Sequence, residues 1–174
     1  MLLKKPFFVV YFLLLSFYCN AQIEVAHVST KGFSAIGFGG FLNFSVPVSE
    51  ANCLTLEGGL LYFKNKHDED LALIPVLMGY RYTIDQSGAG LYVEPNAGYT
   101  FGFATISTHD KNGLYTGEAE VAGLATGVSL GYLFDIGTTP FNLSFRYEHN
   151  FGKAATNLLS FRVAHSFNFG RRED

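Results

Sequence analysis

Charge is scarce in this sequence. Only 16% of its 174 residues are charged, where a soluble domain carries about a quarter. Cysteine is scarcer: there are two, Cys19 and Cys53. Cys19 falls in an expected leader, so the mature chain forms no internal disulfide and is held by hydrogen bonds and packing. Basic residues are few. Beyond residue 21, ten Lys and Arg stand against fifteen Asp and Glu, which excludes the basic face that a nucleic-acid partner requires. Long apolar runs are also missing after residue 21, where no stretch approaches 18 residues. That excludes a later transmembrane helix and leaves strands as the means of spanning a membrane.

What is there begins with the leader. Lys4 and Lys5 precede an apolar stretch from Phe7 to Phe17, broken only by Ser16, and Cys19-Asn20-Ala21 ends on a small residue before Gln22. This is the pattern of a secretory signal peptide cleaved after Ala21. The stretch is short for a membrane helix, which needs roughly 20 residues. Tyr18 is too large to precede a lipid-modified Cys19. The expected organisation is a signal peptide, 1–21, and one domain, 22–174.

The domain holds most of the 19 Gly, 18 Phe and 10 Tyr, a composition that favours many strands over helices. Alternating segments closed by turn residues run over 23–30, 33–46, 53–64, 71–84, 91–104, 118–134, 141–151 and 157–169. In the second, Ile36, Phe38, Leu42, Phe44 and Val46 share one face, and Ala35, Gly37, Gly39, Asn43 and Ser45 the other. In the seventh, Phe141, Leu143, Phe145 and Tyr147 oppose Asn142, Ser144, Arg146 and Glu148. Period two is the strand period. Most segments exceed the ordinary strand of about 5–6 residues and suffice for the roughly 9–11 that a tilted membrane strand needs.

A soluble sandwich also alternates, so the second face matters. Here it is mainly Gly, Ser, Asn and Ala, which suit the crowded interior of a narrow barrel. The lysines of the domain, Lys31, Lys64, Lys66, Lys111 and Lys153, sit at segment ends or in connections. If the strands run up and down, all fall at one end. The other end has the compact connections 47–52, 85–90 and 135–140; the expected outer loops are 31–32, 65–70, 105–117 and 152–156, of which only the third is long. Aromatics gather near both rims: Tyr62, Phe63, Phe103 and Phe151 outside, Phe44, Tyr82, Tyr92, Phe134 and Phe169 inside, with Phe63 and Tyr92 on the inward parity. The expected fold is all-β: a closed antiparallel up-and-down transmembrane β-barrel of about eight strands.

Ile74-Pro75-Val76-Leu77, then Tyr80-Arg81-Tyr82, then Tyr92-Val93-Glu94-Pro95 with Gly98 resembles the outer-membrane β-barrel domain family of small, signal-bearing bacterial proteins. The resemblance implies a closed barrel in the outer membrane, carried across the periplasm by chaperones and inserted by the barrel assembly machinery. The closing strand fits, with Phe161, Val163, Phe167 and Phe169 alternating. His165 interrupts that face, and 170–174 extend past the last aromatic.

Six charges fall on inward positions: Glu57, Arg81, Glu94, Arg146, Glu148 and Arg162. Counting across the 85–90 turn sets Arg81 opposite Glu94 as a cross-strand ion pair. Arg146 and Arg162 become neighbours across the last hairpin, with Glu148 near enough to offset their repulsion. The expected role of this network is to fill and lock the lumen, since an eight-stranded interior is only wide enough for side chains. Catalytic chemistry is not expected. Arg146-Tyr147-Glu148-His149 is faintly similar to the lipid A deacylase region, but Phe151 stands where the nucleophilic Ser should be, and a hydrolase needs its nucleophile within reach of the base. His165 and Ser166 are adjacent and so point to opposite faces. The acidic run His67-Asp68-Glu69-Asp70 and the pair His109-Asp110 read as solvated loops, not metal sites. Gly37-Phe38-Gly39-Gly40 lies in a strand with no helix following, so it is no phosphate loop. No cofactor is expected.

The functional expectation is an outer-membrane barrel with a structural or surface-interaction role, its lumen plugged by side chains and its loops meeting outer-membrane lipids, lipopolysaccharide or external partners. A narrow porin-like transporter of small solutes is the alternative; an outer-membrane lipid hydrolase, or a soluble periplasmic β-barrel or sandwich, is more remote.

Overall fold

The computed structural model describes residues 19–30, 33–65, 69–85, 89–110, 113–136, 139–152 and 155–167, without the side chains of 19, 105–120, 135–140, 166 and 167. The described residues form strands and turns, with no helix. In chain order these are β1 Cys19–Thr30, β2 Phe33–Pro47, β3 Asn52–Lys64, β4 Asp70–Thr83, β5 Gly90–Asp110, β6 Gly113–Glu120, β7 Gly123–Ile136, β8 Thr139–Asn150 and β9 Thr156–Phe167.

Each strand pairs antiparallel with its neighbours, and β1 pairs along its length with β9, from Cys19 opposite Phe167 to Thr30 opposite Thr156. The β4–β5 pairing completes the ring. β6 and β7 together form one stave. Phe103 opposite Glu120 and Thr100 opposite Gly123 belong to a single register against β5, interrupted only at Val121-Ala122. Even there the Val121 N–H donates to the Gly102 carbonyl at 2.9 Å. The result is a closed antiparallel barrel of eight staves, a form that leaves no open backbone edge in the bilayer.

Backbone bonds close two of the inner connections. Val48 N–H donates to the Asn52 carbonyl at 2.8 Å, and Ile84 N–H to the Leu91 carbonyl at 2.9 Å. Gly90 closes the second of these turns with φ of 96°, in the left-handed region that favours glycine.

Three boundaries differ from the sequence reading. β1 begins at Cys19, so its first residues overlap the expected leader; cleavage after Ala21 leaves Gln22–Thr30, still enough for a membrane strand. The sixth segment starts at Gly113, not 118, and is broken in two. The expected long loop 105–117 is a hairpin: β5 continues to Asp110 and pairs with β6 from Gly113. β4 accompanies β5 only as far as Thr105, so the residues beyond it form a two-stranded arm past the ring.

Side chains divide by parity. Ile23, Phe38, Met78, Leu124 and Phe145 are each more than 60% exposed. They belong to an apolar exterior that includes Val25, Leu56, Val76, Phe101, Leu130, Leu159 and Phe161. Such a continuous belt on a closed barrel is a lipid-facing surface, not a solvated one. Tyr62, Phe103 and Phe151 stand exposed toward the outer end and Tyr80, Tyr82 and Tyr132 toward the inner, as interfacial girdles do. Phe63 and Tyr92 are buried inward. Phe169 lies outside the described residues.

Phe145 tests the belt. Phe145→Arg places a charge on the lipid face, with an expected loss of about 2–4 kcal/mol near the bilayer midplane. Reversible urea unfolding in phospholipid vesicles measures it. An unchanged midpoint means that this face does not meet lipid.

Candidate functional site

The inward residues build three levels along the lumen. The level nearest the inner turns is set by the β4–β5 register. Gly79 pairs with Asn96 and Tyr82 with Val93, which puts Arg81 opposite Glu94. Arg81 Nε donates to Glu94 Oε2 at 2.6 Å, and Thr55 of β3 donates to Glu94 Oε1 at 3.1 Å. The Arg81 guanidinium lies over the Tyr92 ring, 4.4 Å from its centroid, and the Tyr92 hydroxyl donates to Asn142 Oδ1 of β8 at 2.9 Å. The missing side chain of Gly131 makes room for this ring: a Cβ there would lie 2.5 Å from the Tyr92 hydroxyl.

The middle level centres on Arg146 of β8, which is 1% exposed. Its Nη2 bonds both oxygens of Glu24 on β1, at 3.0 and 2.9 Å, and its Nη1 donates to Glu57 on β3. Glu148 Oε2 stands 3.6 Å from Nη2. Arg162 of β9 donates to Glu57 and to Gln22 and approaches Glu24 at 3.3 Å. Asn43 is paired in register with Glu57. Both guanidiniums lie over the Phe41 ring, at 5.0 and 5.6 Å from its centroid, and that ring occupies the space left by Gly59. Three staves lie between β8 and β3 in either direction around the ring. The Arg146–Glu57 bond therefore joins opposite walls of the barrel.

The outer level is apolar. Val28, Leu61, Phe63, Leu71, Leu73, Val121 and Leu158 form a buried cluster with Ala26, Ala35, Phe41 and Ala104. Phe63 lies over Gly37, where a Cβ would meet its ring at 2.4 Å.

All six expected residues thus face the lumen. Arg81 and Glu94 pair below, Arg146 and Arg162 share Glu57, and Glu148 sits beside Arg146. The sequence reading missed Glu24, the second carboxylate that both arginines share. The signal was present, because Gln22, Glu24, Ala26 and Val28 alternate with Ile23, Val25 and His27. It also missed Phe41, which interrupts an otherwise small-residue face, and the apolar outer level as a whole. Among the described inward residues, four carboxylates (Glu24, Glu57, Glu94, Glu148) face three guanidiniums (Arg81, Arg146, Arg162).

No family model and no curated protein matches the sequence. Solved structures do match. Ail, the attachment invasion locus protein of Yersinia pestis, aligns over 86% of this chain and 97% of its own, with a TM-score of 0.61 at 15% identity. Neisserial surface protein A aligns over 86% and 96%, with a TM-score of 0.56 at 17% identity. The N-terminal β-barrel domain of Pseudomonas aeruginosa OprF aligns over 85% and 97%, with a TM-score of 0.53 at 13% identity. This chain has the fold of a small bacterial outer-membrane β-barrel.

In such a barrel His149 lies on the lipid side of the wall, away from the lumen. Its Nδ1 is 2.8 Å from Asn157 Oδ1, which also accepts from the Tyr147 hydroxyl at 2.9 Å, and its ring meets Phe151 edge-on at 4.4 Å. His165 is exposed. His67 and Asp68 lie outside the described residues, as do the side chains of His109, Asp110 and Ser166.

Breaking a buried pair by removing one partner costs about 3–5 kcal/mol, because a charge is left uncompensated. Arg146→Met is expected to show a loss of that order in urea unfolding of the folded barrel. Adding Glu24→Gln should recover much of it. An additive double variant would mean that the two side chains do not interact.

Proposed function

We propose that this outer-membrane barrel has a structural and surface-presenting role, with a lumen closed by its own side chains. The supporting observation is the wall-to-wall contact of Arg146 with Glu57 beneath the apolar cluster around Phe63, Leu71 and Leu73. A path for small solutes has to separate a desolvated ion network and also wet an apolar layer, and both carry a free-energy cost. Narrow porin-like transport is the reading set aside on this ground.

Residues 1–21 serve as the export signal in this proposal, and the barrel assembly machinery inserts the domain. Hydrolysis of lipid is not part of it. His149 touches Asn157 and Phe151, and Phe151 holds the place a nucleophile would need. The protruding β5–β6 arm and the outer rim are the surfaces offered to lipopolysaccharide and to external partners.

Planar-bilayer recording tests the closed lumen. The wild-type barrel is expected to be silent at both polarities; stable unitary currents would show that it conducts and would overturn the proposal. Surface presentation has a separate test. Thr108→Cys, made in a Cys53→Ser background, should react with a membrane-impermeant maleimide on intact cells. Labelling only after lysis would place the arm on the wrong side.

A further inference from the structure

Beside the arginine network, the wall formed by β5, β7 and β8 carries a polar cradle around Gly127. Asn96 and Glu148 are both in register with Gly127, one from each side. Gly127 has no side chain to separate them. A Cβ there would lie 2.8 Å from Asn96 Oδ1 and 3.3 Å from the Glu148 Cα. Ser129 is the next inward residue of β7, and Asn150 the next of β8.

These groups are buried and incompletely bonded. Asn96 is 8% exposed, Ser129 and Glu148 are 1%, and Asn150 is 0%. Glu148 Oε1 accepts from Thr100 at 3.4 Å, but Oε2 has no hydrogen-bond partner. The amide oxygen and nitrogen of Asn96, the Ser129 hydroxyl and Asn150 Nδ2 have none either. Buried polar groups are almost always bonded, to protein, water or an ion, and the strands on either side of Glu148 supply polar atoms that no protein group satisfies.

Charge specifies the ligand. Arg81 and Glu94 balance each other. Arg146 and Arg162 then face Glu24, Glu57 and Glu148, which leaves one negative charge in excess among the described inward residues. Arg146 Nη2 is 3.6 Å from Glu148 but already bonds both oxygens of Glu24. A buried uncompensated charge is strongly unfavourable. One positive charge removes the excess, whereas a divalent ion overshoots it. The available donors are hard oxygens, which suit an alkali-type cation and not a soft metal.

We propose that the Asn96–Ser129–Glu148 cradle is a binding site for one monovalent cation, sodium or potassium, held by Glu148 Oε2 and the Asn96 and Ser129 side-chain oxygens. The ion completes the neutrality of the lumen network and so stabilises the folded barrel.

The test uses the folded full barrel in detergent micelles at constant pH and ionic strength, with sodium or potassium exchanged for N-methylglucamine. A bound ion multiplies the folding equilibrium by one plus the ratio of free ion to dissociation constant, a roughly tenfold shift when the free ion is about tenfold above that constant. Broadening of the sodium-23 resonance by wild-type protein, reversed by competing potassium or lithium, reads the same site without any variant. Glu148→Gln should abolish both effects, and Asn96→Leu should weaken them while leaving the charge in place. Two results overturn the proposal. One is stability and resonance width indifferent to sodium and potassium in the wild type. The other is such indifference together with a stability that rises on acidification and is lost in Glu148→Gln, since a proton on Glu148 would then supply the charge. Neither result touches the closed lumen, which the conductance measurement judges separately.

Discussion

No backbone N–H or C=O can be left without a partner in the hydrocarbon of a bilayer, where each such group costs several kcal/mol. This constraint decides the architecture. It requires the long pairing of β1 with β9 and makes the β6–β7 interruption tolerable, because one register continues past it and Val121 still bonds Gly102. It also fixes parity. Once the ring closes, alternate residues must meet lipid, and the exterior of Ile23, Phe38, Leu124 and Phe145 follows.

The residues between them meet one another, and the narrow interior imposes a different problem. Eight staves leave only a side-chain-sized space, which three devices fill. Glycines receive rings: Phe63 over Gly37, Phe41 over Gly59, Tyr92 over Gly131. Apolar side chains close the outer end. Charges occupy the middle, where each guanidinium serves more than one carboxylate, so that ordering one side chain satisfies several partners. The Phe41 ring beneath Arg146 and Arg162 supplies a π face for both cations in a site with little water.

The parts of this arrangement legible in the sequence were those carried by short-range pattern. Arg81 and Glu94 are separated by one tight turn, so counting placed them opposite each other. Strand identity and face followed from period two in β2, β4, β5, β8 and β9. Glu24 escapes because its segment, 23–30, is the shortest of the eight, and because its partners lie on β8 and β9, far away in sequence. The apolar outer level was hidden for a related reason: Leu61, Phe63, Leu71 and Leu73 continue runs of apolar neighbours, where alternation gives no contrast. The arm was misread for polarity. Residues 105–117 look like a loop by composition, yet their backbone pairs residue for residue from Phe103 opposite Glu120 to Asp110 opposite Gly113.

Closure of the lumen also bears on where function can reside. In the proposed reading, a barrel locked by Arg146 and capped by apolar side chains presents its chemistry on surfaces, not through its axis. The exterior is committed to lipid and the inner turns are compact, so the outer rim is the part free to vary. There β5 exceeds its barrel partner β4 by several residues and carries β6 with it. Ordering a strand pair costs backbone entropy as ordering a loop does, but its paired backbone groups offset part of that cost. The rigid wall below then acts as a mount: the energy stored in the lumen network contributes nothing to recognition itself, but it fixes the position from which the arm projects.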